Sequence, residues 1–456
     1  MPDLAGRHAR ACLHGILAVL MLYLVALAGA VAAAAQQPPE PRPWTRASAG
    51  ALLSYVEAIA SHGLDPADYA PAELRQALAS GDPAAIEDRA TQSFGLVARD
   101  LAQGRVRPGR RGGSLIASDP LQPERVARLI DQAIATRDVA GVLDRLAPRL
   151  RQYRMLRAAL AALPPGRQDE RQRIEVSLER WRWLPRDLGE RYLLVNIPEY
   201  RLRLIAGDAE LASHRVIVGA VRTPTPQFTT MVTGIVFNPP WHVPRSIVAE
   251  SVGALIRTNP AAARARGYSW SGTGSGLQVV QQPGPNNALG QMKLDMPNPL
   301  AIYVHDTPGK ALFEEEVRTF SHGCIRTEHP FDLAAALLTG PEWDRARIDG
   351  LIAAGRTTTV PLARPIPFYA TYLTAVAEAD GTIRHHPDPY ALDAAIVAQL
   401  HDGGERASAG GEAERPVGGT AAAAGTASAR VPGSSGADQG RIATLSTPSR
   451  WWANRS

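Results

Sequence analysis

Apolar positions recur at helical spacing through the first part of the chain. Leu52, Val56, Ile59 and Ala60 fall on one stripe, and so do Phe94, Val97, Ala98 and Leu101. Val126, Leu129, Ile130, Ala133 and Ile134 repeat at i, i+3, i+4, i+7 and i+8. Gly63-Leu64-Asp65-Pro66, Gly81-Asp82-Pro83 and the stretch 108–113 interrupt the pattern sharply. These features predict an all-helical unit over 47–180, ending in a charged helix near 168–181 and the segment Trp181-Arg182-Trp183-Leu184-Pro185. The period then changes to two. Tyr192–Ile197, Tyr200–Ile205 and His214–Val218 are β-rich runs, continued by Ile235–Phe237 and Ala301–Val304. Residues 246–282 break that signal, first with a helical pattern from Ile247 to Ala263 and then with a Gly- and Ser-rich half. Helical patterns return at Phe331–Leu338 and Trp343–Ala354. The expected fold is α+β: a helical scaffold domain, then a β-rich domain over 181–365 carrying an inserted cap at about 246–282. An extension over 366–401 is expected to pack back on both.

The two ends read differently from the middle. Arg7, His8 and Arg10 precede an uncharged apolar run from Gly15 to Val31, followed by Ala33-Ala34-Ala35. That pattern predicts a signal peptide over 1–35, or a retained membrane anchor, and in either case an exported chain. Pro- and Gln-rich residues make 36–46 a linker. From 402 to 456 the chain is Gly, Ala, Ser and Thr with scattered charge, which cannot offset its ordering entropy, so this tail is expected to be disordered. The formal charge is only +5, and no dense Lys/Arg run with interleaved aromatics argues for nucleic-acid binding. Of two cysteines, Cys12 lies in the leader, so Cys324 is left as the single thiol of the exported protein and no internal disulfide can form.

Candidate chemistry concentrates between Ala301 and Pro330. An apolar strand delivers His305, and Ser321-His322-Gly323-Cys324-Ile325-Arg326 follows after residues 306–320. A free thiol is mostly protonated at neutral pH, so a nucleophilic cysteine needs a base or a cation beside it. An imidazole can take the proton, a glycine lets backbone N–H groups approach a developing oxyanion, and an arginine can hold a substrate carboxylate. Other readings compete. His305, His322, Cys324 and His329 could ligate zinc, but their spacing fits no common structural zinc pattern. His305 could be a satisfied histidine at a strand end. Asp306 and Glu314-Glu315-Glu316 could be acid–base carboxylates, although such a charge run is ordinarily a solvated face.

The string His305…Ser321-His322-Gly323-Cys324 resembles the signature of the L,D-transpeptidases with a YkuD-type catalytic domain. The flanking segments Leu178–Pro185, Val195–Pro198, Phe237-Asn238-Pro239, Pro283–Gly290 and His305–Pro308 are similar to the YcbB-type branch. The resemblance implies a periplasmic enzyme acting on peptidoglycan stem peptides, with neither metal nor cofactor. Cys324 would be the nucleophile and His305 the general base. Backbone amides of Gly323 and Cys324 would form the oxyanion hole. Tyr303, Ser321, His322, Arg326, Asn287 and Trp241 would contact substrate, with Arg326 standing where many such domains have Asn. The implied reaction is attack on the third stem residue, loss of D-Ala, and transfer of the thioester to an amine as a 3→3 crosslink. A carboxypeptidase or an enzyme attaching proteins to the wall would use the same site, and the intact His305/Cys324 pair argues against a non-catalytic wall binder. A thiolate–imidazolium pair would keep alkylation of Cys324 fast below pH 7. Between Tyr153 and Glu179 there is no room for the peptidoglycan-binding domain common in that branch.

Overall fold

The computed structural model describes residues 42–117, 120–340 and 342–402. The expected leader, residues 36–41 of the linker and the tail beyond 402 lie outside the described residues. Among those described, no helix is long and apolar enough to cross a membrane.

The first half is helical: α1 (Arg46–Glu57), α2 (Pro71–Ser80), α3 (Pro83–Gln103), α4 (Pro123–Thr136), α5 (Val139–Asp144), α6 (Arg151–Ala162) and α7 (Gln168–Trp183). Local chemistry sets the starts. Thr45 and Ser48 form a reciprocal capping box on α1, and Asp82 caps α3 ahead of a proline at its first position. The stripes around Leu52, Phe94 and Ile130 meet in one core. Helix α7 is buried on most sides, including Glu179 and Arg182. The Glu179 carboxylate accepts from Arg182 Nη2 (2.7 Å), the Trp183 indole N–H (2.9 Å) and the amides of Arg105 (3.1 Å) and Val106 (2.8 Å). Arg182 also donates to the His62 carbonyl (2.6 Å) and the Tyr153 hydroxyl (3.1 Å). A buried pair offsets its desolvation only with this many hydrogen bonds, which accounts for the Glu-Arg-Trp-Arg-Trp run.

The second half contains β1 (Arg191–Asn196), β2 (Arg201–Ala206), β3 (Ala209–Gly219), β4 (Phe228–Phe237), β5 (Trp241–His242), β6 (Tyr268–Ser271), β7 (Gln278–Gln281), β8 (Met292–Asp295), β9 (Val304–His305), β10 (Thr319–Ser321), β11 (Ile325–Thr327), β12 (Thr358–Thr371), β13 (Ala375–Ala377) and β14 (Ile383–His385). Nine of them form one sheet in the order β10-β3-β11-β9-β8-β4-β12-β1-β2, and β2 also pairs with β3, so the sheet closes on itself. Leu193, Val195, Leu204, Val218, Ile235, Val304, Ile325 and Phe368 fill its inner core. Tyr192 and Leu194 of β1 and Tyr369 of β12 point the other way and join the scaffold core, with Ile396 and Leu400 of the helix Asp393–Leu400. Strand β1 therefore reads as a continuous apolar run because both its faces are covered.

Two expectations change. The boundary drawn at 365/366 falls inside β12, which lies between β4 and β1 at the heart of the sheet. The insertion is more ordered than its Gly-rich half suggests. Strands β5, β7 and β6 form a separate sheet, and helical turns from Arg245 to Ala265 pack on it around Val243, Val248, Val252, Ile256, Ala263 and Val279.

Candidate active site

Cys324 stands on the turn between β10 and β11. Gly323 precedes it at φ +111°, a conformation that side chains rarely adopt, and this lets the chain reverse into β11. Ser321 is buried; its hydroxyl donates to the Cys324 carbonyl and accepts from the Gly323 amide at 3.1 Å. Ser321 therefore ties the turn together. The Gly323 N–H, one of the two expected oxyanion donors, is engaged by that hydroxyl here. Cys324 Sγ is partly accessible and lies 3.8 Å from the Ala301 carbonyl.

Strand β9 runs parallel to β11, with His305 beside Arg326 and Val304 beside Ile325. The Ile325 amide donates to the Tyr303 carbonyl at 2.9 Å, which places Tyr303 next to the thiol. His305 is 4% exposed, and its Nδ1 is hydrogen-bonded to the Asp306 carbonyl, leaving Nε2 as the ring's basic atom. The pairing of β9 with β11 thus brings together His305 and Arg326 on the strands and Tyr303 and Cys324 just before them, with no direct hydrogen bond between His305 and Cys324 among the described residues. Asp306 is structural: its carboxylate accepts from the Gln291 (2.9 Å) and Thr307 (2.7 Å) amides and pairs with Lys310. Gly290 is required beside it, because a Cβ there would lie 2.3 Å from Asp306 Oδ2 at φ +64°.

Burial dominates the electrostatics. It pushes the Cys324 thiol above its ordinary value, against the opposing pull of the Tyr303 backbone contact, Arg326 and Lys293. It also pushes His305 down to about 4, with Arg326 adding to the effect and the Asp306 and Leu289 carbonyls opposing it. Burial therefore works against the expected thiolate–imidazolium pair, favouring the thiol and the neutral imidazole.

The other expected contacts divide. Arg326 is half-buried, its charge disfavoured by burial, and it makes no ion pair among the described residues. His322 is exposed, and its Nε2 lies 3.0 Å from Glu250 Oε2 on the cap, so it links the nucleophile turn to the insertion. Asn287 is buried and fully engaged: Nδ2 donates to the carbonyls of Pro239 (3.2 Å), Gln281 (3.1 Å) and Gln282 (3.0 Å), and Oδ1 accepts from the Leu289 amide (2.8 Å). It fastens the root of the cap and has no polar atom left for substrate. Trp241 is partly buried and packs against the cap's own core. Among the described residues no cluster of His, Cys, Asp and Glu is arranged to hold a metal ion.

Sequence reading missed Lys293, whose Nζ sits 4.4 Å from the centroid of the Tyr303 ring and whose backbone pairs with His305. The available signal was weak: a polar residue between buried Met292 and Leu294. A cavity of about 850 Å³ opens elsewhere, lined by Leu150, Trp181, Tyr192, Arg203 and His386, and contains none of this chemistry.

Comparison with known proteins finds matches over both halves of the chain. Residues 190–348 match the YkuD family, the L,D-transpeptidase catalytic domain, and residues 42–160 match the family described as Scaffold domain. A "Putative L,D-transpeptidase" of Haemophilus influenzae is 29% identical over 282 residues, covering 58% of this chain and 57% of that protein. Two solved structures, an L,D-transpeptidase from Mycobacterium smegmatis and the Ldtfm–avibactam carbamoyl enzyme, align at 14% identity with TM-scores of 0.23 and 0.21. They cover 40% and 41% of this chain, and 58% and 50% of their own. The chain thus spans little more than half the length of the curated relative.

Proposed function

We propose that this protein is a peptidoglycan L,D-transpeptidase of the YcbB-like branch that works outside the inner membrane, in the periplasm. The observation that carries the reading is the setting of Cys324. It is the free thiol of a domain matching the L,D-transpeptidase catalytic family, partly accessible on its turn, and both Arg326 and Lys293 act on it without an ion-pair partner among the described residues. Two cations close to the thiol suit a substrate bearing carboxylates, as a stem peptide ending in D-Ala does. The Scaffold match and the ordered cap support the branch.

In this mechanism Cys324 Sγ attacks the carbonyl carbon of the third stem residue at its L-centre. His305 Nε2 takes the thiol proton as the S–C bond forms and returns it to the D-Ala amine as the C–N bond breaks. An acceptor amine then attacks the thioester, the C–S bond breaks, and the thiol is restored as the 3→3 amide forms. Burial disfavours both charged forms, so in this reading proton transfer accompanies attack. The intermediate is testable by intact mass. Brief incubation with tetrapeptide-stem muropeptides, quenched in acid before the thioester is consumed, should add one acyl group, mapped to Cys324, with release of D-Ala. An adduct on another residue, or none while substrate is consumed, would remove Cys324 from the mechanism.

A further inference from the structure

The nucleophile turn is held from beneath by a residue beyond the catalytic-domain match. Tyr390 lies between β14 and the helix Asp393–Leu400. Its hydroxyl donates to the Gly219 carbonyl at 2.6 Å and accepts from the Thr225 amide at 3.2 Å, bridging the two ends of the loop 219–225. Thr225 is buried; its hydroxyl accepts from the Gly219 amide (2.9 Å) and donates to the Gly323 carbonyl (2.8 Å). From the same loop, the Ala220 amide (2.8 Å) and the Thr223 hydroxyl (3.1 Å) both reach the Ser321 carbonyl. Three hydrogen bonds thus pass from one loop to the two residues, Ser321 and Gly323, that fix where Cys324 stands.

Tyr390 is itself anchored. Its ring packs on Tyr372 with centroids 5.7 Å apart, its amide donates to the Tyr372 hydroxyl at 2.9 Å, and that hydroxyl donates to Asp388 Oδ1 at 2.5 Å. The guanidinium of Arg180, from scaffold helix α7, covers the other partner at 4.8 Å from the Tyr372 centroid and pairs with Asp393. A contiguous path of packed and hydrogen-bonded groups therefore runs from α7 through Tyr372, Tyr390 and Thr225 to Gly323.

The geometry points to Tyr390 as a positioning residue for Cys324. It contacts neither the thiol nor any group expected to meet substrate, and it acts by setting the loop that sets the turn. The inference rests on the proposed role of Cys324 and adds that the segment after β12 takes part in shaping the reaction centre. Small displacements of a reacting group carry large rate effects.

The test is Tyr390→Phe, which removes the hydroxyl and keeps the ring, together with Thr225→Val and the conservative Thr225→Ser. In Tyr390→Phe, kcat on tetrapeptide-stem muropeptides should fall about ten- to a hundredfold with KM unchanged. The rate of iodoacetamide alkylation at Cys324 should change as well. Thr225→Val should behave similarly, Thr225→Ser should retain activity, and the double variant Tyr390→Phe/Thr225→Val should lose no more than the worse single one, as members of one path do. Wild-type kcat and alkylation in Tyr390→Phe would overturn the inference, and so would strictly additive losses. The alkylation readout does not depend on turnover. If Cys324→Ala kept full activity, the proposed function would fail while the positional effect of Tyr390 on the thiol was still measured.

Discussion

Burial acts on Cys324 and His305 in opposite senses, lifting the thiol and depressing the imidazole, which favours the proton on sulfur in the free protein. Alkylation at Cys324 should therefore be slow at pH 7 and climb as pH rises beyond the ordinary thiol range. Arg326 favours the thiolate, so Arg326→Gln should move the profile to still higher pH. Peptide mapping after timed iodoacetamide treatment reads this directly, and a plateau already reached below pH 7 would show a preformed ion pair. The residue types themselves were legible in the sequence, since a lone thiol next to Gly323 and downstream of a strand-borne histidine is an unusual cluster. Thr225, Lys293 and Tyr390 were not, because only strand pairing and loop closure bring them to the turn, and none stands near Cys324 in the chain.

Strand β12 shows what patterning cannot reveal. Pro361, Pro365 and Pro367 argue against a central strand, since proline donates nothing to a ladder. The sheet accommodates them by shifting register between Pro361 and Ile366, and the strand pairs with β4 on one side and β1 on the other. By contrast β1, β2 and β3 are readable because each combines length with apolar faces. Strands β9, β10 and β11 span two or three residues each, too few to show a period. The importance of β12 has a direct consequence: a chain ending at Ile348, the limit of the catalytic-domain match, lacks the strand that joins β4 to β1. Such a truncation should lose cooperative thermal unfolding, while one ending at Asp402 should keep it. A soluble 42–348 fragment with a sharp calorimetric transition would contradict the assigned place of β12.

At the scale of the whole molecule, two buried histidines and two buried glutamates tie stability to pH in the same direction. His62, hydrogen-bonded to Tyr153 at 3.0 Å in the scaffold, is pushed by burial down to about 4, as is His305 in the sheet. Unfolding returns each to about 6.5. Above that value both are neutral in either state and their contribution is fully present. Between about 6.5 and 4 the unfolded chain takes up protons that the folded one refuses, so stability is lost as pH falls. Each histidine contributes on the order of 3 kcal/mol. Glu179 and Glu199, held low by Arg182 and by Arg203 against the cost of burial, extend the loss into the carboxylate range. Calorimetry from pH 7 to pH 4 should show a steady fall in Tm, and His62→Gln should flatten the upper part of it. A Tm unchanged across that window would mean that these imidazoles are not held neutral by the fold.

The central claim is that Cys324 joins stem peptides through the third residue of the donor. The most direct measurement is mass spectrometry of the products formed by purified protein from tetrapeptide-stem muropeptides, beside Cys324→Ala under the same conditions. The wild-type protein should release D-Ala and yield dimers linked from third residue to third residue, and Cys324→Ala, folded to the same Tm, should yield neither. Crosslinked dimers from Cys324→Ala, or a wild-type reaction that ends only in trimmed tripeptide stems, would contradict the account.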